Sequence, residues 1–212
     1  MHVISVNVGL PRATVWRGET EITGIFKEPV DGPVRAAGVN LEGDGQADPT
    51  VHGGPDKAVY VYPAEHYPFW REELGREFPW GMFGENLTVA GAPLEDDAAI
   101  GDRLRIGTAE FEVTQPRLPC YKLGIRFNDA GMVRRFHRAG RTGYYLRIAS
   151  EGHVAAGDAI EILGRHPAHI PVSELTRLMT SDRHDTDALR RALAVDELPA
   201  DLRPFFEQLA AR

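Results

Sequence analysis

The sequence predicts an α+β chain, mainly β: a β-barrel core with inserted helices, followed by a small C-terminal helical bundle. Three observations carry that prediction. Many short apolar runs are separated by tight turns such as Gly101-Asp102, Gly107-Thr108 and Gly157-Asp158. Only two helical periodicities interrupt them, so strand and helix do not alternate as a doubly wound parallel sheet requires. Composition shifts after Arg165, where HPAHIP leads into three short helical patterns. The expected division is residues 1–165 for the strand-rich domain and 166–212 for the helical subdomain.

The elements follow in order. Met1 to Gly9, Thr20 to Phe26 and Val34 to Leu41 read as strands. The polar loop EGDGQADPTVHGGPDKA comes next, and a loop this long without periodicity is more often functional than filler. Ala58 to Tyr62 is an apolar and aromatic strand. Tyr67, Trp70 and Leu74 lie at helical spacing, so a helix covers Pro63 to Leu74, with Pro68 either kinking it or marking its true start. FGENLTVAG is a turn feeding a strand. Leu104 to Ile106 and Ala109 to Val113 form a hairpin around Gly107-Thr108. Asn128 to Ala139 is a helix, Tyr144 to Ala149 a strand, and Ile160 to Leu163 the last strand. In the tail, helices are expected at Ser173 to Met179 with Ser173 as N-cap, at Thr186 to Val195, and near Asp201 to Ala211, where Pro204 is tolerated only in the first turn. None of these tail segments carries a motif residue, so the tail is expected to be dispensable for ligand binding.

Composition narrows the functional classes. The chain has 212 residues, 42% of them hydrophobic, enough for a real core. A net charge of -7 argues against nucleic acid or an anionic membrane as the main partner. No leader and no membrane-length apolar run is seen, so the expected location is cytoplasmic. One cysteine excludes an intramolecular disulfide. There is no G-x-G-x-x-G before a helix, no Walker loop, no HExxH and no CxxC.

The cysteine stands in QPRLPCYKL. Pro116 and Pro119 exclude Cys120 from a central strand and place it in an irregular segment after one, where its side chain can face a cavity. Arg117 and Lys122 favour the thiolate, a nucleophile or soft-metal ligand. The competing reading, a small buried apolar residue, stands beside it on local chemistry alone. VHGGPDKA offers the second feature. Backbone amides at Gly53-Gly54 and the charge of Lys57 suit an anion, though a plain surface turn has the same composition. His52 could act as base to Cys120 as nucleophile if the two meet in space. Asn86 has an amide suited to a heterocycle edge, and Glu85-Asn86 also suits a turn. Arg141, between Gly140 and Gly143, is either an anion binder or a solvated loop residue.

Taken together, LEGDGQAD, VHGGPDKAVYVYPAEHY, FGENLTV, GDRLRIG, QPRLPCYKL and GRTGYY resemble a MOSC domain, the module named after the C-terminal part of molybdenum-cofactor sulfurases. Their order and spacing resemble the YiiM-like branch, and the helical tail resembles that branch's C-terminal bundle. The resemblance implies a MOSC-type β-barrel binding the molybdenum cofactor (molybdopterin), with Cys120 as the molybdenum ligand. A thiolate suits such a soft-ligand centre. It implies a pterin phosphate among Lys27, His52, Lys57, Arg117 and Lys122, with Asn86 at the pterin edge. Lys27 is singled out only by the resemblance. Lys27 and His52 are the expected residues for proton supply or cofactor anchoring, and Arg141 is a further cofactor-binding candidate. The implied activity is reduction of N-hydroxylated compounds, such as hydroxylaminopurine bases, to amines. The chain has no electron-transfer centre, so a separate reductase would supply electrons. Two other readings remain open: a non-catalytic carrier of the cofactor or of sulfur, and a cysteine hydrolase using Cys120 and His52.

Overall fold

The computed structural model describes residues 1–48 and 53–211. The candidate His52, and with it the expectation that His52 and Cys120 share a cleft, lies outside the described residues.

The chain opens with β1 (His2–Val8), then a hairpin of β2 (Arg12–Trp16) and β3 (Glu19–Thr23), followed by β4 (Glu28–Val30), β5 (Val34–Ala37) and β6 (Asn40–Leu41). Next come β7 (Val59–Pro63), α1 (Tyr67–Leu74), β8 (Leu87–Ala90), β9 (Arg103–Ile106) and β10 (Ala109–Pro116). The middle continues through α2 (Tyr121–Phe127), α3 (Met132–Ala139), β11 (Tyr144–Ser150), β12 (Gly152–Val154) and β13 (Ile160–Gly164). The tail is α4 (Val172–Thr180), α5 (Thr186–Leu193) and α6 (Arg203–Ala210). The chain is thus mixed α+β and mainly sheet, as expected. Among the described residues no helix is long and apolar enough to cross a membrane.

Eight strands form one sheet in the order β13-β9-β10-β11-β7-β8-β1-β4. All its neighbours are antiparallel except β7 and β8, which α1 connects. The predicted barrel needs correcting in one respect. The end strands β13 and β4 are not paired with each other among the described residues, so no closed barrel forms there. The sheet curls instead. The start of β1 reaches residues 157–160 through an isolated His2–Ala159 bridge and bonds such as Val3 N–H to the Asp158 carbonyl, 2.9 Å.

Side-chain alternation divides the interior. In β7, Val59 and Val61 enter an aliphatic core on one face, while Tyr60 and Tyr62 enter an aromatic core on the other. A strand has period two, so a run buried along its whole length must serve two layers. The aromatic layer is covered by α1, α2 and α3 through Trp70, Leu123, Phe127 and Phe136. Its polar tips are satisfied: Trp70 Nε1 donates to the Tyr62 hydroxyl at 2.6 Å and the Tyr60 hydroxyl to the Thr142 carbonyl at 2.7 Å. Pro68 lies in the first turn of α1, which settles it as the helix start rather than a kink.

The tail helices belong to the aliphatic core. Val172, Leu175, Leu189 and Phe206 are in one cluster with Val3, Phe111 and Leu146. Asp185 caps α5 by accepting from Ala188 N–H, and Pro204 sits in the first turn of α6. Ser173, expected as a cap, lies inside α4. The N-cap position is Pro171, which has no capping side chain.

Candidate functional site

A cleft enclosing about 720 Å³ of empty space, part of it open to solvent, lies beside β7 and β11. Four stretches wall it, within residues 23–27, 44–47, 57–60 and 117–122, with Asn40, Gly84, Asn86 and Tyr145 between them. The first two walls touch because Gly24 carries no side chain at the contact. A Cβ on Gly24 would stand 2.7 Å from the Gly45 carbonyl oxygen.

Six predicted residues line this cleft: Lys27, Lys57, Asn86, Arg117, Cys120 and Lys122. Cys120 is half-buried and free, with extended backbone, at the residue preceding α2. This is the irregular segment the prolines demand, since Pro116 ends β10 and Pro119 follows it.

Arg117 is buried. Its guanidinium lies 5.4 Å from the Tyr60 ring centre and 5.1 Å from that of Phe136. Nη2 donates to the Phe83 carbonyl at 3.4 Å, and Nη1 has no partner among the described residues. Among the described residues no carboxylate pairs with Arg117 or with Lys122. A buried cation held by ring faces, the Tyr145 hydroxyl and one long carbonyl bond, with no carboxylate beside it among the described residues, is costly to keep. An anion entering the cleft would offset that cost.

Lys27 differs. It is buried and ion-paired with Asp44. Burial pulls its pKa below the usual lysine range, and Asp44 opposes the shift. Asp44 also accepts from Gly9 N–H at 3.0 Å and from Asn86 Nδ2 at 2.8 Å. Sequence reasoning missed Asp44, because a Gly-Asp-Gly triplet is too short to signify alone. Breaking a buried pair by removing one charge strands the other. Asp44→Asn is therefore expected to lower stability by roughly 3 kcal/mol. Urea unfolding checks this, and an unchanged midpoint would show that Lys27 does not depend on Asp44.

Asn86 was expected at a heterocycle edge. Both polar atoms of its side chain already carry protein bonds: Oδ1 accepts from Tyr60 N–H at 3.0 Å, and Nδ2 serves Asp44 and the Asn7 carbonyl. Neighbouring Glu85 is fully buried and pins its turn, accepting from Tyr67 and from the amides of Gly81 and Phe83 at 2.9 and 3.0 Å. Burial raises its pKa above the usual carboxylate range.

Arg141 is not brought to the cleft. Its guanidinium lies over the Phe69 ring, 4.6 Å from the centre, and donates to His66 Nδ1 at 3.2 Å. His66 Nε2 in turn meets Glu95 at 2.9 Å, and Gly143 N–H donates to the same carboxylate at 2.6 Å. Arg141 is thereby built into the turn that leads to β11. Asn40, which sequence reasoning did not single out, lines the cleft with an Oδ1 that has no partner among the described residues.

Comparison with known proteins agrees with this architecture. The MOSC domain family profile matches residues 48–161, and the YiiM-like, 3-alpha helix domain profile matches residues 170–209. Protein YflK of Bacillus subtilis (strain 168) is 44% identical over 204 residues, covering 96% of this chain and 92% of that protein. Protein YiiM of Escherichia coli (strain K12) is 35% identical over 179 residues, covering 83% and 79%. A protein of Gibberella moniliformis (strain M3125 / FGSC 7600) named Reductase is 37% identical over 150 residues, 68% of this chain and 26% of that longer protein. The crystal structure of YiiM from Geobacillus stearothermophilus superposes with a TM-score of 0.82 at 30% identity, covering 99% of this chain and 98% of that one. With both the sheet-bearing part and the helical tail matched, the chain belongs to the MOSC domain family, in its YiiM-like branch.

Proposed function

We propose that the cleft binds the molybdenum cofactor, with Cys120 as metal ligand, and that the protein reduces N-hydroxylated compounds to amines in the cytoplasm with electrons from a separate reductase. The observation that carries this reading is the guanidinium edge of buried Arg117, which has no partner among the described residues, in the same cleft wall as Cys120 and Lys122. Two uncompensated cations suit a phosphate, and a thiolate suits a soft metal. Among the described residues no three His, Cys, Asp or Glu side chains cluster to hold a metal ion. A metal beside Cys120 would therefore draw its other ligands from elsewhere, and a pterin dithiolene carries its own. Arg117, Lys122 and Lys57 would hold the phosphate. When bound, the cofactor supplies a two-electron redox couple able to take oxygen from an N–OH group. The balance is R–NHOH plus two electrons and two protons giving R–NH2 and water. Lys27, lining the cleft with its pKa lowered by burial, can deliver a proton there. A relative named Reductase supports the reductive direction.

Protein purified from a cofactor-making host should contain molybdenum and, given a reductase, convert a hydroxylaminopurine base to its amine. Metal without turnover would point to a carrier instead, and neither would end the reading. Arg117→Met is expected to cut molybdenum occupancy at least tenfold while leaving the metal-free protein as stable or more so. Replacing a buried, poorly compensated charge by an apolar chain of similar length removes a desolvation cost. Metal content and thermal unfolding, read together, check both halves.

A further inference from the structure

The cleft's cations are not equivalent, and the one at Lys57 draws its partner from the tail. Lys57 Nζ donates to Asp201 Oδ2 at 2.7 Å, on the connection between α5 and α6. Both backbones are fixed. On the Lys57 side, Thr114 Oγ1 donates to the Asp56 carbonyl at 2.6 Å, and Arg147 Nε to the Asp56 carboxylate at 2.7 Å. On the Asp201 side, Arg203 donates to the carbonyls of Leu193 and Val195, each at 2.8 Å. The two side chains differ in exposure, 15% for Lys57 and 52% for Asp201. A half-exposed carboxylate on a sheltered, cleft-lining lysine is a counter-ion that can be exchanged, because water takes it back at little cost.

We propose that Asp201 is the resident counter-ion of Lys57 and that a phosphate group entering the cleft displaces it. The helical tail is thus a component of the binding site that sets its affinity for anions. The proposal rests on reading the cleft as a phosphate site, and the experiment separates the two.

Pyrophosphate is the probe, titrated calorimetrically into the full-length, metal-free protein. Removing a competitor of surface ion-pair strength should tighten binding about two- to fivefold in Asp201→Asn. The gain should vanish when Asp201→Asn is made in a Lys57→Met background, and Arg117→Met should weaken binding in every background. Unchanged affinity in Asp201→Asn, or a gain that persists without Lys57, overturns the counter-ion role while leaving the phosphate site standing. Binding indifferent to Arg117→Met would be an adventitious ion only. That result, or no binding by the unaltered protein, overturns the cleft reading and this inference together.

Discussion

Cys120→Ser is expected to give a folded protein with no bound molybdenum and no N-reductive turnover. The substitution keeps shape and exchanges a soft thiolate for a hydroxyl that stays protonated near neutral pH, a poor ligand for a soft centre. Stability should move by about 0.5 kcal/mol or less. The structure gives a reason beyond size. Cys120 occupies the N-cap of α2 without a side-chain bond, and serine is a preferred cap residue, so any small change should favour the variant. Pyrophosphate binding should persist, since Arg117 and Lys122 remain. Activity alone does not decide, because a cysteine hydrolase would lose it too. The deciding measurement pairs molybdenum occupancy with the assay. A variant that keeps both in full would remove Cys120 from the metal and leave it a small wall residue.

How much of this site was legible depended on how local its chemistry is. Arg117, Cys120 and Lys122 fall within the seven residues from Pro116 to Lys122, which include two prolines, so one segment displays both the irregular backbone and the charge. Lys27 shows nothing locally. Its meaning comes from Asp44 and from its place in the cleft wall, both set by long-range packing. Asp44 was invisible for the same reason. Arg141 misled because glycines mark a turn but do not say which way its side chain faces. Here it faces His66 and Phe69.

The fold was legible wherever a strand buries a face. β1, β7, β9, β10 and β11 carry apolar residues into a core and were read. β2 was not, because both faces of the β2–β3 hairpin are largely open, with Val15 and Ile22 exposed. Its signal was instead the turn, where Arg17 and Gly18 both have positive φ, as two-residue hairpin turns demand. α2 was hidden by shortness and by Gly124, a poor helix former. That glycine suits a close approach, since a Cβ there would lie 3.1 Å from the Asp129 carbonyl oxygen in the turn toward α3. The tail's helices were read; how far they share one core with the sheet was not. Amphipathic periodicity shows that a face is covered without saying by what.

Truncation after Pro167 is accordingly expected to abolish cooperative folding, not merely to remove an accessory segment. The tail lends backbone to the sheet-bearing part: Ile100 N–H donates to the Ile170 carbonyl at 3.0 Å, Val172 N–H to that of Ala98 at 2.8 Å, and Ser173 N–H to that of Glu95 at 2.9 Å. Ile100 faces Ile170, Leu175, Ala192, Val195 and Leu198 around a gap that admits no water. Without the tail, Ala98 and Ile100 meet solvent and the core loses large side chains including Leu178, Leu189, Phe206 and Leu209. Each such side chain contributes about 1.5–3 kcal/mol when buried, against a total stability of about 5–15 kcal/mol for a typical domain. Losing a handful of these contacts is enough to erase the net. Urea unfolding of residues 1–167, followed by near-UV circular dichroism, should show no sharp transition and no fixed aromatic signal. Should the fragment instead unfold cooperatively at a midpoint near that of the full chain, the shared core is not what holds the sheet. The expectation that the tail is dispensable for ligand binding could then be tested on the folded fragment, with the Lys57–Asp201 pair as the tail's tie to the cleft.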